Sequence, residues 1–225
     1  MVNSKQKPFD EILKITKGEK KHFLVGCSEC ATICKSGGRE QLLEMERLLR
    51  QAGKKITGLV VLKLACHDLN TKVSLKHYAE EIKLADSILS FACGVGTQTV
   101  QEFVEKIVHP CVNTLFVGHI KRFGEFEERC VMCGECILDQ TAGICVYARC
   151  PKGLVNGPCG GAKDGKCEVN SEIECIWQLI YERLKKAKSL NKIPFPLNPR
   201  DYTKIVSPRQ LKINVTSLKT KGSRK

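Results

Sequence analysis

The amino-acid sequence predicts an α/β protein: a short parallel sheet wrapped by helices, then a cysteine-rich metal-binding module and a C-terminal helix. Three observations carry this expectation. Short apolar, β-branched runs alternate with amphipathic stretches through the first half. Eight of the 14 cysteines crowd into residues 130–175, where glycines and turn residues leave almost no continuous apolar run. Beyond them, residues 171–188 return to a helical period behind a capping signal.

Taken in order, residues 1–20 are polar and read as a loose leader, with one helical turn near 9–15. HFLVGC (22–27) reads as a buried strand, and SECATICKSGG follows as a loop closing on Gly37-Gly38. A helix is expected from about Arg39 to Gln51, because Leu42, Met45, Leu48 and Leu49 mark one face and Gly53 is placed to stop it. KKITGLVVLKLAC (54–66) is a second strand, weakened by Gly58. Ser74 suits the N-cap of a helix reaching about Leu84, with Leu75, Tyr78, Ala79 and Ile82 inward. SILSFAC (87–93) is the third strand. GVGTQT then leads into a helix with Val100, Phe103, Val104 and Ile107 inward, and NTLFVG (113–118) supplies a fourth strand after Pro110. Strands alternating with helices imply half of a Rossmann- or flavodoxin-like sheet, whose right-handed crossovers set every strand's carboxyl end along one edge.

The expected organisation is a leader (1–20), an α/β domain with its own cysteine site (21–120), a cysteine-rich module entered through the charged linker KRFGEFEER and ending in a helix (121–188), and a basic, mobile tail (189–225). From Arg183 to the end, thirteen Lys or Arg face the single acid Asp201, so nearly all of the net charge of +13 belongs to the C-terminal segment. A near-neutral body argues against nucleic acid as a partner, since such proteins carry a basic face on the folded domain. The N-terminus lacks the apolar region of a secretory signal, and no long uncharged apolar run suggests a membrane span. A cytoplasmic location is expected, where closely spaced cysteines bind metal rather than form disulfides.

Cys27, Cys66 and Cys93 each end an apolar run, so three remote thiols should meet at the carboxyl edge where open α/β sheets bind ligands. With Cys30 and Cys34 in the adjoining loop, Cys27, Cys30, Cys34 and Cys93 form the expected first site, and Cys66 is the alternative fourth ligand. Three close thiolates plus a distant one suits iron–sulfur clusters, and zinc uses it too. Cys93 is favoured because Gly94 and Gly96 let backbone amides approach a cluster. The same turn could cradle an anion, but it lacks the spacing of a dinucleotide fingerprint. Cys111 reads as a packing residue. In the module, Cys130, Cys133, Cys136, Cys145, Cys150, Cys159, Cys167 and Cys175 suffice for two four-thiolate sites, and spacing does not say which four belong together. Ser171 and Glu174 form the expected capping box of the last helix, with Ile173, Trp177, Ile180 and Leu184 on one face.

GCSECATICKSGG, FACGVGTQT, CVMCGEC, GLVNGPCGG, DGKCEV and CIWQLIYERLK, in this order over about residues 20–188, resemble the C-terminal-type domain, or separate small subunit, of methylenetetrahydrofolate reductases of anaerobes such as acetogens. The resemblance implies a cysteine-rich subunit that catalyses nothing by itself. It implies iron–sulfur clusters, 4Fe–4S in type, or zinc, and a role in electron transfer and scaffolding in one-carbon metabolism. Its expected partners are a flavin-containing TIM-barrel subunit and further electron-carrier proteins. A scaffold held by structural zinc, without a redox role, is the alternative.

Overall fold

The computed structural model describes residues 1–192, 196 and 199–213. The chain divides into two compact units, Met1–Arg129 and Cys130–Lys225. Much of the expected tail, residues 193–195, 197–198 and 214–225, lies outside the described residues.

The first unit is built on a parallel sheet of β2 (Lys21–Cys27), β3 (Lys55–Leu62), β4 (Ser87–Ser90) and β5 (Val108–Pro110), in the order β3-β2-β4-β5. Both faces are covered, which is why these runs are apolar throughout. Phe23, Val25, Ile88 and Val60 join Leu75, Ile82 and Val100 on one side; Leu24 and Leu89 join Ile12, Leu42, Met45 and Leu49 on the other. Alternate residues of β2 therefore serve opposite cores, as the period of two requires. The helices are α1 (Phe9–Ile15), α2 (Cys30–Ile33, a single turn), α3 (Arg39–Gln51), α4 (Asp68–Lys76), α5 (Ala79–Leu84) and α6 (Gly94–Glu102). Helix α3 agrees with the sequence reading.

Several elements differ from expectation. The fourth parallel strand is β5, and residues 112–122 form β6 (Val112–Arg122) in a separate antiparallel sheet of order β1-β6-β7. The supposed loose leader supplies β1 (Val2–Gln6), paired from Val2↔Val117 to Gln6↔Val112, and the helix α1, whose Ile12 is fully buried. The supposed linker turns at Phe123-Gly124 into β7 (Glu125–Cys130). Alternating charges there satisfy an exposed ribbon as readily as a linker, so polarity misled the reading. Ser74 lies inside α4, because His67 caps that helix by accepting the Asn70 N–H at 3.4 Å. Helix α6 ends at Glu102, leaving Ile107 exposed.

At the sheet's amino edge, the Asp86 carboxylate accepts the Lys20 and Lys21 N–H groups at 2.7 and 2.8 Å. The Ser87 hydroxyl donates to Glu19 at 2.7 Å and lies 2.9 Å from Nδ1 of the fully buried His22.

The second unit contains α7 (Val146–Arg149) and α8 (Ile176–Lys186). Its core is Ile144, Val146, Ile176, Trp177, Ile180 and Leu184. Helix α8 begins after Cys175, so Ser171 and Glu174 stand before it and form no capping box. Isolated bridges join Lys166 to Lys163 and to Glu174 and take that stretch out of the helix.

Candidate metal centres

All fourteen cysteines are free thiols, and each lies among the described residues. Their placement follows from the strand ends and loops that carry them.

Cys27 ends β2, its side chain in the core beside Ala31 and Ala65. Its N–H donates to Gly37 O at 3.0 Å, and the Ser28 N–H donates to Leu62 O at 2.9 Å, so both arms of the following loop are tied to the sheet. Gly37 closes the loop: a Cβ there would lie 1.8 Å from the Phe91 carbonyl oxygen. Cys30 opens α2 and Cys93 is the N-cap of α6. Cys66 follows β3 in the turn before α4. Gly96 lets α6 approach that turn, since a Cβ there would stand 2.9 Å from Ala65 Cβ and 3.0 Å from Ala92 Cβ. The Gly94 N–H is occupied by Thr114 Oγ1 at 2.8 Å, so in this structure both glycines act in packing and anchoring.

Electrostatics identifies the neighbours. Burial raises the pKa of the Cys66 thiol, and Cys93 adds to the rise, as do Cys27 and Cys30. Cys27, Cys30 and Cys93 therefore each lie within electrostatic reach of Cys66 at the carboxyl edge. Cys34 lies differently: its thiol donates to Val2 O at 3.9 Å and Asn3 Oδ1 at 3.8 Å on β1. Burial raises its pKa too, and the Cys30 thiol adds to the rise, against hydrogen bonding from Ser4. The structure thus places the alternative ligand Cys66 near Cys27, Cys30 and Cys93, and keeps Cys34 near Cys30 with its thiol hydrogen-bonded to β1. No local signal could have shown this, because the strand receiving Cys34 read as a polar leader. Cys111 is fully buried, and burial pushes its thiol pKa strongly up, in keeping with packing.

In the second unit the eight thiols fall into two sets. Cys150, Cys159, Cys167 and Cys175 line one cavity of about 20 Å³ with Trp177 and Leu154. Backbone pairing draws their segments together: the Cys167 N–H donates to Ile173 O at 3.0 Å, and the Cys175 N–H to Gly165 O at 2.7 Å. Trp177 Nε1 donates to Leu154 O at 2.8 Å and holds the Cys150 loop against α8. Cys175 is the N-cap of α8. The Gly161 N–H points at Cys159 Sγ, 3.4 Å away.

The other set is Cys130, Cys133 and Cys145, with Cys136 exposed in the same loop. Burial raises the Cys145 pKa and the Cys130 and Cys133 thiols raise it further, while the Ala148 and Tyr147 N–H groups lower it. Met132, at φ +52°, donates its N–H to Cys130 Sγ at 3.3 Å, and Gly134 follows at φ +77°. Such turns present thiols from one side while their amides face the sulfurs, as thiolate sites require.

As the side chains stand, no group of three or more His, Cys, Asp or Glu among the described residues is placed to hold a metal ion. The donor chemistry fits one: four thiols line the small cavity, and thiols bind metal as thiolates, giving up their protons. Among the described residues, no helix is long and apolar enough to cross a membrane.

Residues 109–203 match a family model described as "Methylene-tetrahydrofolate reductase C terminal". The match begins later than the resemblance read from the motifs and runs on through Arg200 to Thr203. No curated protein and no solved structure matches the chain.

Proposed function

We propose that this chain, whose residues 109–203 match the methylene-tetrahydrofolate reductase C-terminal family model, is a metal-binding subunit of such a reductase. Its work is iron–sulfur electron transfer and scaffolding beside a flavin-bearing TIM-barrel subunit, with further electron carriers as donors. The supporting observation is the sorting of eleven thiols into local groups, above all the four around one cavity.

The two kinds of site suit different metals. A cavity of about 20 Å³ has room for one ion, which favours zinc at Cys150, Cys159, Cys167 and Cys175. The sheet-edge set Cys27, Cys30, Cys66 and Cys93 opens to solvent at Cys66, and we assign the cluster there. When bound, a cluster supplies one-electron transfer and zinc a fixed cross-link. The protein supplies the rest. Cys93 and Cys175 sit at helix N-termini, which would hold them in place as ligands. Backbone N–H groups face Cys130, Cys145 and Cys159 and stabilise negative sulfur. Neither sheet among the described residues is a TIM barrel, and folate reduction is assigned to the partner.

Anaerobic purification with analysis for iron, acid-labile sulfide and zinc, and a visible spectrum before and after dithionite, tests this reading. Iron matched by sulfide, with absorbance that bleaches on reduction, is expected. Zinc alone with no visible band would remove the relay and leave the structural zinc scaffold, a reading that the small cavity favours.

A further inference from the structure

The described residues 199–209, which composition assigns to a solvated tail, lie on the first cysteine loop of the second unit. Glu135, between Cys133 and Cys136, accepts the Asp201 N–H at 3.0 Å through one oxygen and Lys204 Nζ at 2.8 Å through the other. Asp201 also caps the 3₁₀ turn Tyr202–Ile205 by accepting the Thr203 N–H at 3.0 Å. Arg209 Nη1 donates to Met132 O at 2.7 Å and to Lys204 O at 3.3 Å. The fit is close at Gly134, where a Cβ would stand 3.1 Å from Lys204 O. Arg200 lies over the ring of Tyr147, 4.5 Å from its centroid, and its buried Nε has no hydrogen-bond partner among the described residues. The N–H of that same Tyr147 faces the Cys145 thiol.

We propose that residues 200–209 are a cationic clamp on the Cys130, Cys133, Cys136 and Cys145 site; this rests on the metal-binding reading above. The clamp holds the loop in its left-handed turns at Met132 and Gly134 and sets Arg200, Lys204 and Arg209 on Tyr147, Glu135 and Met132, residues that lie within two positions of the cysteines in the chain. Four thiolates around a divalent cation carry a net charge of about −2, which nearby cations offset. A single exposed ion pair contributes little. Here three contacts from one short segment fix one loop, so they act together. The basic C-terminal composition then serves the chain's own metal site, and nucleic acid or an acidic partner need not be invoked for these residues.

The test uses the full chain loaded with zinc as the probe metal and compares wild type with Glu135→Gln, a substitution that keeps side-chain shape. Trypsin cleavage after Lys204 and Arg209 is followed by mass spectrometry, and zinc release to a colorimetric chelator is followed in parallel. Partners that orient metal ligands typically change metal affinity by about 10–100-fold on removal. The variant should release one zinc about tenfold faster and be cut faster at both positions. Zinc held by Cys150, Cys159, Cys167 and Cys175 should leave at the wild-type rate and serves as the internal reference. Arg209→Lys should release zinc more slowly than Arg209→Ala, because it keeps the charge. Wild-type zinc release from a variant whose segment is cut freely would overturn the clamp, as would unchanged cleavage; both outcomes leave metal binding standing. A wild-type chain that takes up neither zinc nor iron would end the metal reading and the clamp together.

Discussion

Gly37→Ala tests how the sheet builds the first thiol group. Gly37 lies where the loop carrying Cys30 and Cys34 returns to the sheet, and its carbonyl accepts the Cys27 N–H at 3.0 Å. A Cβ there would be 1.8 Å from Phe91 O and 2.7 Å from Phe91 C, whereas real Cβ atoms essentially never come within 3.0 Å of such neighbours. The obstacle is backbone just past the end of the central strand β4, so no side chain can rotate away and the loop must lift by more than about 1 Å. Overpacking of this kind costs about 1–3 kcal/mol, and with backbone on both sides the upper end is expected. A domain stable by about 5–15 kcal/mol would remain folded. The lifted loop would nevertheless separate Cys30 from Cys93, which caps α6 just beyond Phe91. Urea unfolding should show the loss of stability, and metal analysis should show loss of the metal held by Cys27, Cys30, Cys66 and Cys93 while the second unit keeps its own. A Gly37→Ala chain with wild-type stability and full metal content would refute the account of the loop.

Three other outcomes follow from the same geometry. Cys66→Ser should abolish metal at the sheet edge, while Cys34→Ser should retain it and lose only the contact with β1; metal analysis of the reverse pattern would return Cys34 to the site. Cys159→Ser should empty one site of the second unit without affecting the sheet-edge group, and loss of all metal together would show that the units are not independent. Stability should fall on acidification. Burial lowers the pKa of His22 from its ordinary 6.5, and Lys54 adds to this. Burial alone would raise Glu19 from 4.5, but hydrogen bonds from Ser87 and His109 outweigh it, and the Lys20 and Lys21 amides lower Asp86 from 3.8. In each case the unfolded chain takes up the proton first, so stability is fully present above the ordinary value and is lost as pH falls toward the depressed one. Denaturant midpoints should therefore begin to drop below pH 6.5 and fall further below 4.5; a flat profile down to pH 4 would contradict this.

The readable parts were those written in local pattern. Leu42, Met45 and Leu49 define α3 because three- and four-residue spacing puts them on one face whatever lies beyond. The apolar runs at 22–27 and 87–93 announced buried strands for the same reason. Partnership was not readable. Residues 113–118 have the composition of a strand, but whether they extend the parallel sheet or pair with β1 depends on a segment more than a hundred residues away in the chain. The polar leader became a strand because its partner was waiting in β6, and hydrogen bonding to a partner leaves little trace in composition.

The sequence by itself determined an α/β first half, a cysteine-rich second half without a large core, and thiols rather than His or carboxylates as the candidate metal ligands. These follow from residue type and short-range period. Tertiary structure alone decided which thiols meet. Cys30 and Cys34 are neighbours in one helical turn, but that turn sits between β1 and the sheet edge, so Cys34 faces the first strand while Cys66 arrives from another loop. Likewise Cys150 and Cys145 are close in sequence but belong to different groups, because α7 lies between them and backbone pairing at Lys166 and Gly165 gathers the later cysteines around a separate cavity. Spacing limits how far apart two thiols can be, and only the path of the chain between them fixes where their side chains point.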